Sequence, residues 1–194
     1  MSATATPMGF RPVKLTGGRP FNGAVEAAYE IADNYSTSIF CGDPVKMLTT
    51  GYIGRDAGTD ACTPIGIFLG CSFDDPNSGQ RVFKQYYPAS TNITTGVIRA
   101  YVCDDPDAIF HIQANASVTQ AGVGGNAAIV STAGSVISGN SKVTLGASTI
   151  NTTSTLPVRI VGFLESPRNA VGDAYTDVLV RWNVGHAFRN TTGI

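Results

Sequence analysis

The sequence predicts an all-β fold, an antiparallel β-sandwich or barrel with an extended N-terminal arm and little helix, on three observations. Apolar and polar residues alternate with period two in several short runs. The runs are separated by Gly, Pro, Asn and Asp turn residues, including Asp-Pro pairs at Asp43, Asp75 and Asp105. Nowhere do apolar residues hold helical i, i+3, i+4, i+7 spacing for three turns.

Residues 1–23 mix three prolines with Thr and Gly and show no sustained period. They read as an extended arm whose Phe10 and Phe21 want burial, ahead of a single β-rich domain over residues 24–194. AVEAAYEIA, from Ala24 to Ala32, partly fits both periods and is read as a strand. In PIGIFLGCSF, Ile65, Ile67, Leu69, Cys71 and Phe73 share one face and Gly66, Phe68, Gly70 and Ser72 the other, the pattern of a half-buried strand. Ile98, Ala100 and Val102 alternate with Arg99 and Tyr101, and Phe110 and Ile112 lie opposite Ile109, His111 and Gln113. In LPVRIVGFLE, Val158, Ile160, Gly162 and Leu164 oppose Arg159, Val161 and Phe163, which allows cover on both sides. Val178, Val180, Trp182 and Val184 oppose Asp177, Leu179, Arg181 and Asn183. The best helix candidate, Ser117 to Val130, is cut by three glycines. Each costs about 1 kcal/mol relative to Ala, so at most a short helix is expected there.

Gln113 to Val158 carries one charged side chain, Lys142. Its recurring Val, Ile and Leu argue against a disordered linker, because unfolded segments are poor in β-branched residues and rich in charge. It reads as β-structure with long Gly, Ser and Thr turns. Missing charge of this kind fits a surface covered by a neighbouring molecule, since interface centres are depleted in charge. Val136 and Ile137 are the expected oligomer-interface residues.

Charged residues are 14% of the 194-residue chain and net charge is −1, which leaves no basic face for nucleic acid. No apolar window approaches the roughly 20 residues of a membrane helix. Cys41, Cys62, Cys71 and Cys103 include no C-x-x-C pair and are expected to be buried free thiols. The start, MSATATPMGFRP, lacks the pattern of a signal peptide, so synthesis in a cytoplasm is expected. His111 and His186 lack ligand spacing and are read as structural or solvated. Neither G-x-S-x-G nor a phosphate loop is present; AGVGGNA reads as a turn or close chain packing. The acidic DDPD and FDDPN pieces read as turns with solvated acids, a weak calcium site there being left open. No catalytic residue, cofactor or metal ligand is assigned, and the chain is not expected to be an enzyme.

Three pieces follow in order along the chain: TPMGFRPVKLTGGRPFNGAVEAAYEIA with IFCGDPVKM, then RAYVCDDPDAIFHIQ, then TSTLPVRIVGFLESPRNAVGDAY with VLVRWNVGHAF. Together they resemble a group of small structural proteins of tailed bacteriophages that accompany the major capsid protein. The resemblance implies a decoration, or cement, protein on the outside of an icosahedral head. Its expected partners are the major capsid protein and further copies of itself, a trimer being favoured. It places the protein in the virion after synthesis in the host bacterial cytoplasm, with Phe10, Arg11, Pro12 and Phe21 as capsid-contact residues of the arm. The alternative is a receptor- or carbohydrate-binding β-domain of a phage head or tail fibre, with Tyr86, Tyr87, Tyr101 and Trp182 as the candidate sugar platform.

Overall fold

A computed structural model describes residues 4–183 except residues 22, 24 and 61, with the backbone alone for residues 26–28. Val184, His186 and the first three residues of the expected arm lie outside the described residues.

The described chain is nearly all β. Its strands are β1 (Arg11–Leu15), β2 (Glu26–Ile31), β3 (Pro44–Met47), β4 (Ile53–Arg55), β5 (Gly66–Asp74), β6 (Arg81–Lys84) and β7 (Ile98–Cys103). They continue with β8 (Ala108–Gln113), β9 (Asn126–Ala127), β10 (Ile129–Val130), β11 (Thr144–Leu145), β12 (Val158–Phe163) and β13 (Asp177–Trp182). The glycine-cut helix candidate yields a single 3-10 turn, Gln120–Gly122. No described helix is long and apolar enough to cross a membrane.

One antiparallel sheet runs in the order β1-β8-β13-β12-β9, and a second runs β2-β7-β5-β3-β4 with β6 on the far half of β5. β4 comes back into contact with β2, so the second sheet curls around its own core. That core contains Ile31, Val45, Ile53, Phe68, Phe73, Tyr87 and Ile98. The other core gathers Phe10, Phe110, Ile112, Val158, Val180 and Trp182 with Ile67 and Cys103 from the second sheet.

β13 follows its alternation, and Phe110, Ile112, Val178, Val180 and Trp182 are buried in the first core, but β8 also buries Ile109 and Gln113 on its other face. β5 does not stay half-buried. A bulge between Phe68 and Gly70 resets its phase, so Ile67 serves the first core while Phe68, Cys71 and Phe73 serve the second. This strand is covered on both faces. β12 is covered on one, because a bulge between Ile160 and Gly162 brings Phe163 to the inner side with Val158 and Ile160. Arg159 and Val161 face outward.

The expected arm over residues 1–23 is also corrected for its described part. Phe10 is fully buried, Arg11–Leu15 pairs with β8, and Phe21 packs partly buried against the first core. Even Thr6 is tied down, its N–H donating to Gln113 Oε1 at 2.8 Å. The physical reason is that β1 is an edge strand, where the missing N–H of Pro12 costs no ladder bond.

The charge-poor segment closes the first core with Ala127, Ile129, Val143 and Leu145. Its strands are only two residues long, so side chains take over the work of a ladder. Thr149 Oγ1 accepts from Ala128 N at 2.9 Å, Asn115 Oδ1 from Ala147 N at 3.0 Å, and Ser141 Oγ from Val143 N at 3.0 Å. Short neutral hydroxyls and amides can reach the neighbouring backbone without carrying a charge into the interior.

All four cysteines are free and buried. Burial pushes their thiols up from the ordinary 9.0, Cys71 to about 12 and Cys103 to about 11, with Cys62 also raised. Below pH 9 both folded and unfolded chains keep these protons, so stability is flat on their account. Above it the unfolded chain releases them and the folded chain does not, so stability falls as pH rises from about 9 toward 11. Urea midpoints between pH 8 and 11 will show this loss, and dithionitrobenzoate at pH 8 should label the thiols only after unfolding. Prompt labelling of the native protein would contradict the burial.

Candidate functional site

β10 and β11 are joined by a loop whose tip is Val136 and Ile137, 63% and 96% exposed. Two β-branched apolar side chains stand in water on a loop that is hydroxyl-rich and carries a single charge, Lys142. The turn beneath them is closed by Ser135 N to Asn140 O at 2.9 Å and Gly139 N to Ser135 O at 2.7 Å. Gly134 lies flat on the Phe40 ring, where a Cβ would collide with the ring carbons. Phe40 is in turn stacked on Tyr86, with ring centroids 5.4 Å apart.

Both ends of this loop are tied to one buried carboxylate, that of Asp43, which is fully shielded from solvent. Ser141 Oγ donates to Asp43 Oδ1 at 2.6 Å, and Phe40 N donates to Oδ2 at 3.0 Å. Arg55 Nε forms a close ion pair with Oδ2 at 3.0 Å, poorly aligned for a hydrogen bond, while Arg55 Nη2 donates to Thr132 O at 2.8 Å. Burial pushes the Asp43 carboxyl up from its usual range, against the opposing pull of Arg55, the Ser141 hydroxyl and the Phe40 N–H. A second clamp centres on Asn140, whose Oδ1 accepts from Arg11 Nη2 and Gln85 Nε2, each at 2.6 Å. Arg11 Nη1 also reaches Cys41 Sγ at 3.4 Å.

This clamp is where the G-F-R-P-V and G-D-P-V motifs meet. Phe10 N donates to Gly42 O at 3.0 Å, and a Cβ on Gly9 would lie 2.5 Å from that same oxygen and 2.6 Å from Ser141 Cβ. Only glycine permits three chain segments to cross so closely. Arg11 and the Val136–Ile137 tip, assigned from sequence to two separate surfaces, therefore belong to one assembly. Pro12 sits in β1 and Phe21 against the first core, and nothing brings either to the tip. Asp43, Arg55, Asn140 and Ser141 were not singled out from the sequence. Asp43 carried only a turn signal from the Asp-Pro pair, and its hydroxyl partner is 98 positions away.

The four aromatics considered for a sugar platform do not form one. Tyr87 and Trp182 are buried in different cores, Tyr86 stacks on Phe40, and Tyr101 lies partly covered beside Phe83. His111 pairs with Asp177, its Nε2 3.1 Å from Oδ1. The Asp-Pro turns hold their acids in local hydrogen bonds, Asp105 Oδ1 accepting from Asp107 N and Asp75 Oδ1 from Asn77 N. Among the described residues no group of three or more His, Cys, Asp or Glu side chains could hold a metal ion.

What the Asp43 assembly can do is mechanical. A buried carboxylate with a hydrogen bond on each oxygen and two anchored arginines hold an apolar tip in place, so less ordering entropy remains to be lost when the tip docks. Compared with protein-family models, curated proteins and solved structures, the chain matches none of them.

Proposed function

We propose that this chain is a structural protein of a bacteriophage virion, attached outside the icosahedral shell to the major capsid protein and to copies of itself, with a trimer as the favoured state. The observation that carries the reading is the near-complete exposure of Ile137 on a loop held rigid from beneath. The order of the three resembling pieces along the chain supports it, and so does the scarcity of charge around the tip, where Lys142 is the one charged residue of the loop. Fully burying Val136 and Ile137 against a partner would contribute about 1.5–3 kcal/mol each. That is modest for one copy and becomes firm attachment when several linked copies dock together.

Ile137→Asp and Val136→Asp are expected to leave folding within about 0.5 kcal/mol of the parent, because both side chains are already in water. Added to undecorated heads, the variants should bind weakly or sediment as smaller species, whereas the parent should bind and raise the heads' resistance to heat and low salt. Normal assembly and attachment by both variants would remove the tip from the interface and this reading with it.

A further inference from the structure

A cleft of about 540 Å³ opens between the turn after β5 and the loop 88–94, on the side of β6 that carries Lys84. Small-molecule sites commonly occupy about 300–1,000 Å³. Phe73, Ile93 and Pro76 are among its lining residues, and its polar lining includes Asp75, Asn77, Asn92 and Lys84. We propose that this cleft binds a neutral pyranose sugar.

The walls are built before any ligand arrives. Asp75 is held by its own turn, Oδ1 accepting from Asn77 N at 3.1 Å and Oδ2 from Ser78 Oγ at 3.2 Å, which leaves a lone pair on each oxygen. The opposite loop hangs from fixed points: Ser90 N donates to Tyr35 O at 2.7 Å, Ala89 N to Ser38 Oγ at 3.0 Å and Ile93 N to Asp33 Oδ1 at 2.8 Å. Lys84 Nζ is stationed 5.5 Å above the Phe73 ring and makes no ion pair among the described residues. The side-chain amides of Asn77 and Asn92 likewise make no hydrogen bond to described residues.

The chemistry of this lining selects the ligand. One carboxylate and one ammonium balance, so the cleft asks for no net charge, and a lone Lys beside an Asp is a poor phosphate site. A fixed carboxylate and two primary amides offer both acceptors and donors to hydroxyl groups, while Ile93 and Pro76 offer apolar contact to the C–H face of a ring. A single carboxylate cannot supply the acid and base pair of a glycosidase, so the sugar is held and not cleaved. This reading is independent of attachment to a capsid, and it uses none of the four aromatics that the sequence suggested.

The test is a titration of the full chain, followed by amide ¹H–¹⁵N spectra, with methyl α-D-glucopyranoside, methyl α-D-galactopyranoside, methyl α-D-mannopyranoside and, separately, inorganic phosphate. At least one glycoside should give saturable shifts at residues 75–77, 84 and 89–94 with millimolar affinity. Asn92→Ala and Lys84→Met, both at exposed positions, should weaken it about tenfold without moving the thermal midpoint. Absence of saturable shifts there with all three glycosides at about 50 mM, or shifts with phosphate alone, would overturn the proposal. Failure of capsid attachment would leave it standing, since the protein is titrated without any shell.

Discussion

Phe10→Ala is expected to cost about 3–5 kcal/mol of folding free energy, read as a large drop in the urea midpoint at unchanged slope. The side chain is fully buried, with its ring 5.1 Å from Trp182 and edge-on to Phe110 at 5.9 Å. Removing it leaves a cavity between two large aromatics that rigid sheets cannot close. The contrast with an arm is quantitative, because a side chain held only by an outside partner would change the monomer's stability by a few tenths of a kcal/mol. Truncation through Leu15 should be worse still, since it removes Phe10 and uncovers the edge of β8. Deletion of Met1 to Arg11 therefore reports on folding before it reports on attachment. A Phe10→Ala protein as stable as its parent would restore the arm.

How far the fold could be read in the sequence depended on how many faces each strand covers. β13 buries one face, so its period-two alternation reported the inside directly; in β8 Phe110 and Ile112 still mark the first core although Ile109 and Gln113 on the opposite face are covered too. β5 serves two cores through a bulge at Gly70, and no alternation can announce a change of phase that comes from a neighbouring strand's register. The arm was misread because Pro12 and the glycines look like loop chemistry, while the decisive facts are tertiary: an edge position and a vacancy beside Trp182 that Phe10 fills. Val136 and Ile137 stood out in the sequence as apolar residues in a turn-rich stretch poor in charge, and the structure exposes both at a loop tip. The support of that tip did not stand out. Asp43, Arg55 and Ser141 are each unremarkable locally, and only the fold brings them together.

That support gives the second large effect. Asp43→Ala is expected to destabilise the protein by about 3–5 kcal/mol, because it strands the mostly buried Arg55 guanidinium and leaves the Phe40 N–H and Ser141 hydroxyl without their acceptor. Replacing both charges, Asp43→Leu with Arg55→Met, should recover part of that loss, since an apolar pair carries no desolvation cost while the two neutral donors stay unsatisfied. The consequence reaches the surface through named contacts: without Asp43, Thr132 loses the arginine that holds it and Ser141 loses its anchor, so both ends of the tip loop are released. Amide exchange at Ser135 and Gly139 should then quicken relative to the core of β8, and attachment to heads should weaken although Val136 and Ile137 are untouched. Stability and exchange that match the parent would mean the loop holds its shape from its own turn, closed by Ser135 and Asn140, and that the buried carboxylate has no part in presenting the tip.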